Sequence, residues 1–145
     1  MQCIAPLNAV FYSLCAADAT LQGLMGNPIK LFEYLPQEAG PIVGASPFGI
    51  YNFASVDWGN KTSQGEKLTL TIDIFDRTVG SYVNLNAIGD RLYQLLHEQN
   101  ANLTSDQVGI TLVRYMDAVR LRDKDGITLH INLRFQVIAV YLINS

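Results

Sequence analysis

From Leu68 to Ile74 apolar and polar residues alternate without a break: Leu68, Leu70, Ile72 and Ile74 fall on one side of an extended chain, Thr69, Thr71 and Asp73 on the other. Period two sustained in this way predicts a strand with one buried face. Elsewhere the period changes. Behind Pro6, a residue suited to a first helical position, Leu7, Val10, Phe11, Leu14 and Cys15 recur at helical spacing. The spacing predicts a helix over 6–25, broken near Asp18, which can cap a second short turn carrying Leu21, Leu24 and Met25. Gly26-Asn27-Pro28 ends it. A second amphipathic stretch covers 83–99, with Ser81 as its N-cap and Leu85, Ile88, Leu92, Leu95 and Leu96 as its apolar stripe. Ile29–Leu35 and Phe48–Val56 are strand-like and joined by an irregular link rich in Pro and Gly. A polar segment around Trp58 follows, long enough for its own role.

The last third predicts a hairpin. Lys124-Asp125-Gly126 suits a three-residue loop with glycine at the position that needs positive φ. That loop pairs Leu121 with Leu129, Val119 with Ile131, Tyr115 with Phe135 and Val113 with Val137, and a slip of one residue would turn every member to the other face. Asp117 disagrees, because it falls opposite Leu133 on the apolar side. Either a bulge re-aims it or it pairs with another group. Arg114, Arg120, Arg122, His130, Asn132, Arg134 and Gln136 then share the polar side. The apolar run Val137–Ile143, placed on a sheet edge, would need a cover or a partner strand. The order α-β-β-β-α-β-β predicts an α+β fold, a mainly antiparallel sheet with two principal helices packed on one face, as a single domain over 1–145.

Composition adds one unusual feature. The 145 residues are 49% hydrophobic but only 16% charged, against about 25% in an ordinary domain, so part of the surface is expected to be covered when the protein works. A net charge of −3 argues against a basic nucleic-acid binder, and residues 67–145 hold 8 basic and 8 acidic side chains. Cys3 and Cys15 would lie about 18 Å apart along a helix, beyond the reach of a disulfide, and are expected to be free thiols. No apolar run reaches the length of a membrane span.

Constellations for chemistry are sparse. His97 and His130 have no Cys, Asp or Glu at metal-ligand spacing, so no metal or cofactor is expected, and solvated histidines are the simpler reading. Asp123-Lys124-Asp125-Gly126 lacks the third acidic position and the closing glutamate of a calcium loop. Asp73 and Asp76 could form a carboxylate pair for acid–base work, although Arg77 makes a surface ion pair of Asp76 the plainer expectation. A small hydrolase or transferase using Asp73, Asp76 or His130 therefore stays open, as does a weak nucleic-acid-binding module using the arginine-bearing hairpin face.

The order of features over about 125 residues resembles a known family. The relevant stretches are Leu14, Ala17-Asp18-Ala19, Leu21 and Leu24-Met25-Gly26; Leu35-Pro36-Gln37; the loop from Trp58 to Gly65 with Lys61-Thr62; the strand Leu68–Ile74; the helix from Ile88-Gly89-Asp90-Arg91 to His97; and Arg122-Asp123-Lys124-Asp125-Gly126 with His130 and Leu133-Arg134-Phe135. Together they resemble the tail-completion family of long-tailed bacteriophages and gene-transfer-agent-like particles, also called tail terminators or head–tail joining proteins. The chain departs from the family pattern at Gly44–Tyr51 and after Val137.

The resemblance implies a structural virion protein without enzymatic activity. Its copies would form a ring, commonly a hexamer, on the tail tube, stop tube growth and join the tail to the head connector or neck. DNA would pass through the centre without sequence-specific binding. Implied partners are further copies of the chain, the tail tube protein and the connector, with no membrane and no cofactor. The place implied is the tail or neck of a virion assembled in the bacterial host cytoplasm. Residues expected at subunit or tube interfaces are Trp58, Lys61, Arg114, Arg120, Arg122, Arg134, Tyr141 and Leu142.

Overall fold

The structure, a computed structural model, describes residues 3–33, 47–56, 65–77, 81–122 and 128–142. The first helical stretch is two helices, α1 (Ile4–Ala16) and α2 (Ala19–Met25). The break falls at Asp18, whose backbone is extended and whose carboxylate accepts the Leu21 N–H at 3.0 Å, capping α2. The two helices bend by 83° there. Leu7, Phe11 and Cys15 of α1 and Leu21 and Met25 of α2 thereby reach one core.

Strand β1 is only Leu31–Phe32, shorter than the expected 29–35, of which Tyr34 and Leu35 lie outside the described residues. Strands β2 (Phe48–Val56) and β3 (Gly65–Asp76) follow, and β3 buries every second residue from Leu68 to Asp76. Helix α3 (Val83–Leu96) faces the core with Leu85, Ile88, Leu92 and Leu96. Its N-cap is Tyr82 rather than Ser81, whose hydroxyl accepts the Val83 N–H from one position further out at 3.4 Å. A single-turn helix α4 (Asn100–Leu103) leads into β4 (Val108–Arg122) and β5 (Leu129–Tyr141). The loop predicted at Lys124–Gly126 lies outside the described residues.

The five strands run in the order β1-β2-β3-β5-β4, all antiparallel except the β1–β2 pair. This is the expected α+β architecture. The helices cover the face that carries Leu70, Ile72, Leu133 and Phe135, and among the described residues no helix covers the other face. Gly49 lets β1 sit close: a Cβ there would come within 2.7 Å of Ile74 Cδ1 and 2.9 Å of Leu31 Cδ1. The apolar run near the end of the chain does not form an edge. Strand β5 lies between β3 and β4, and Val137 and Ala139 are fully buried, so the cover that this run needs is supplied by two strands of its own sheet.

The expected hairpin register holds from Leu112 to Tyr115, with Tyr115 opposite Phe135 and Val113 opposite Val137, and shifts on either side, between Ile110 and Leu112 and again after Tyr115. Between Tyr115 and Asp117 the ladder is irregular. Beyond it Asp117 pairs with Arg134, Val119 with Asn132, Arg120 with Ile131, Leu121 with His130 and Arg122 with Leu129. The expected pairs Val119–Ile131 and Leu121–Leu129 are each off by one residue. A bulge at Met116 takes up that residue, sparing Asp117 a place against Leu133. Every later side chain changes face as a result.

Candidate functional site

The uncovered sheet face is built from alternate residues of four strands. Asp73 of β3 is a hub on it: its Oδ1 lies 2.7 Å from His130 Nε2 and accepts from Asn132 Nδ2 at 2.8 Å. The His130 ring stacks on Phe75 at 4.2 Å, and Phe75 stacks on Phe48 at 5.1 Å. His130 is thus clamped between a carboxylate and an aromatic row rather than solvated. Its Nε2, the nitrogen at the tip of the ring, is turned onto the carboxylate, which suits a brace better than a base facing a substrate.

Further along this face Arg134 grips Asp117 with both its Nε, at 2.9 Å, and its Nη2. The hydrogen bonds from Arg134 hold the Asp117 carboxyl below the usual carboxylate range. Arg114 is exposed beside them, opposite Gln136. The bulge adds Val119 and Leu121, 46% and 42% exposed. The face therefore mixes fixed polar pairs, an exposed arginine and apolar side chains in water, a combination suited to contact with a protein surface.

Arg120 and Arg122 do not join this group, because the bulge turns them to the helical side. Arg120 lies over the Tyr82 ring at 5.0 Å and donates to Asn86 Oδ1 at 3.3 Å, while the Tyr82 hydroxyl donates to Leu121 O at 3.0 Å. Beside them is a cleft of about 450 Å³ between α3 and the hairpin, with Ala118, Ile131 and Leu133 on its floor and Tyr93, Tyr115 and Asp90 among its walls.

Of the remaining expected interface residues, Trp58 and Lys61 lie outside the described residues. Tyr141 is half-buried and packs on the core. Leu142 is 43% exposed, and its N–H donates to Gln107 O at 2.9 Å. Asp76 is fully buried on the helical side, where it accepts from Asn84 Nδ2 at 3.3 Å, so it is neither a surface carboxylate nor a partner of Asp73. His97 caps α3, and its Nδ1 accepts the Tyr115 N–H at 3.0 Å. Val119 and Leu121, which the sequence pattern assigned to the apolar side, are exposed together with Met116, and the sign of it in the sequence was the misfit of Asp117.

Among the described residues no three metal-ligating side chains come together, and no single helix is long and apolar enough to cross a membrane. Cys3 and Cys15 are free and buried. Burial first, then the neighbouring Glu66, pushes the Cys3 thiol up to about 12, and burial raises that of Cys15.

No family model matches the chain, and no curated protein matches it. Among solved structures it is similar to a chain of the virion of a native gene transfer agent particle, with a TM-score of 0.76 and 20% identity. The match spans 94% of this chain and 95% of the other, so the likeness is one of the whole fold, shared from end to end with a virion component.

Proposed function

We propose that the protein is a tail terminator of a phage-like or gene-transfer-agent-like virion. Its copies form a hexameric ring that caps the tail tube, halts its growth and joins it to the connector or neck, and DNA passes through the centre. The end-to-end fold likeness to a gene transfer agent virion chain carries this reading. The low charge and the sheet face that no helix covers among the described residues support it, because a closed ring hides surface on every subunit. The proposed contacts to neighbours and tube include Arg114, Arg134 and Leu142, together with Trp58 and Lys61. Electron microscopy of particles made with and without the gene tests the reading. Overlong tails, or finished tails that never join heads, are expected without it, and normal particles would overturn it.

The second reading, a hydrolase or transferase using Asp73 or His130, comes from the residue types, since their 2.7 Å contact has the geometry of a brace. It ends if particles carrying Asp73→Asn and His130→Gln assemble and deliver DNA normally.

A further inference from the structure

The two long strands nearest the edges of the sheet are each sealed over only part of their length. On β4 the Glu98 N–H donates to Val113 O at 2.9 Å, Asn100 Nδ2 to Thr111 O at 3.0 Å, and the Tyr115 N–H to His97 Nδ1 at 3.0 Å. This seal stops at the bulge. Among the described residues no backbone hydrogen bond reaches Met116–Arg120 from outside the hairpin. On the other side of the sheet, among the described residues, β1 covers β2 only at Gly49 and Ile50. Among the described residues nothing bonds to the outer backbone of Asn52–Val56.

The bare stretches sit at opposite ends of the sheet. Val119 aligns through Asn132 and Asp73 with Ile50, which β1 covers, and Ala54 aligns through Thr69 and Gln136 with Arg114, near the sealed half of β4. We propose that the bare half of β4 in one copy pairs, antiparallel, with the bare half of β2 in the next, so that each subunit extends its neighbour's sheet. This rests on the ring reading above and specifies how the ring closes. Strand β2 runs parallel to β5 and so antiparallel to β4, which makes the pairing antiparallel when neighbouring open faces point the same way. Two different patches meet, as a head-to-tail ring requires. The diagonal offset staggers each subunit against the next, which tilts the strands as closed β-walls demand.

Charge selects the partner. Strand β4 carries Arg114, Arg120 and Arg122 against one acid, Asp117, which Arg134 neutralises. On the other edge the described residues Leu31–Glu33 and Pro47–Val56 carry Glu33 and no Lys or Arg. Two β4 edges facing each other would set arginine against arginine, which opposed strands disfavour. The exposed Met116, Val119 and Leu121 and the exposed Ala54 supply the apolar area that such a junction hides.

Paired cysteines test the junction. Opposed residues of antiparallel strands have Cα atoms about 4.5–5.5 Å apart, within disulfide reach, and both native cysteines are buried. Under mild oxidation the double variant Ala54→Cys, Val119→Cys is expected to give a ladder of disulfide-linked multimers that ends at the ring's copy number, while each single variant gives none. Ala54→Cys with Leu121→Cys checks a register two residues away. Val119→Lys is expected to weaken assembly at least tenfold with an unchanged melting temperature of the monomer. If rings form but neither double variant cross-links, the edge pairing falls and the ring stands. Dimers from Val119→Cys alone would also overturn it, in favour of symmetric β4–β4 pairing. If the unmodified chain stays monomeric at micromolar concentration and with tail tube protein present, both readings fall.

Discussion

Val113 and Val119 lie on one strand at an even spacing, which in a straight β4 would put them on the same side of the sheet. Val113 is fully buried under the helices, whereas Val119 is 46% exposed on the opposite face. Between them sits the bulge at Met116. The inner half of β4 has its outer edge closed by His97, Glu98 and Asn100, while the outer half meets another part of the chain chiefly through Tyr82 and Asn86. One inserted residue therefore divides the strand into a part that holds the fold together and a part available to something else. The division is a change of parity joined to one of charge: Val108–Tyr115 is rich in β-branched residues with Arg114 as its one charged residue, whereas Met116–Arg122 carries Asp117, Arg120 and Arg122.

The sharpest way to break this contrast is to make the same substitution on both sides of the bulge. Val113→Ala is expected to lower stability by about 2 kcal/mol, because it removes buried methyl groups and leaves a gap. Val119→Ala is expected to stay within about 0.5 kcal/mol, as for an exposed position. Urea unfolding of the two variants measures both, and equal losses would refute the division.

Two Arg–Asp pairs among the described residues offer a second contrast. Asp18, which accepts from Arg91 Nε at 3.0 Å and from its Nη2 at 2.5 Å, ties the cap of α2 to α3, and its side chain is 9% exposed. Its carboxyl lies below the ordinary range because of the Arg91 hydrogen bonds, which outweigh the opposing effect of burial and are helped by the Leu21 N–H. A depressed folded pKa adds stability above the unfolded value of about 4. That stability is lost as the pH falls through the folded value. Asp18→Ala is expected to cost about 1–2 kcal/mol at neutral pH and to flatten the fall in melting temperature between pH 5 and 3, a range set roughly by the unfolded value. Asp117→Asn, at a pair standing in water, is expected to move the melting temperature far less.

The smallest expected effect concerns the seal itself. His97→Ala deprives the Tyr115 N–H of its acceptor at a cost of about 1 kcal/mol or less. Hydrogen exchange at the Tyr115 amide should quicken while the amides beyond the bulge keep their rates. Uniform quickening along β4 would show that its two halves do not act separately.

What was legible in the sequence follows from which forces write themselves into local pattern. The alternation in β3, the stripe of α3 and the cap at Asp18 were readable because each is decided within a few residues. The inner hairpin register was readable because Tyr115, Phe135, Val113 and Val137 had to share a buried face. The outer register was not, because a bulge costs no change in residue type. Asp117 signalled a conflict without saying whether it would be solved by a bulge, by a partner such as Arg134, or, as it turned out, by both. The central place of β5 was hidden for another reason: an apolar run looks the same between two strands as it does at an edge awaiting a neighbour. The buried Asp76 beside Asn84 was hidden because Arg77 supplied a nearer, more obvious partner. For the candidate interface, residue types were readable while their faces were not, so Arg114 and Arg134 came together and Arg120 and Arg122 did not.

The central position of β5 also bears on how the chain acquires its fold. Strand β3 pairs with β5 from Gly65–Val140 to Asp76–Leu129, contacts that span α3, α4 and β4. A ribosome making the chain from its N-terminal side completes β2, β3 and β4 before the strand that must lie between the last two exists. Until then β3 has one empty side, and the helices have only part of a floor to pack on. Folding is therefore expected to be a late event that follows synthesis of β5, with long-range closure setting its rate. The nascent chain passes through a stage with unpaired strands exposed.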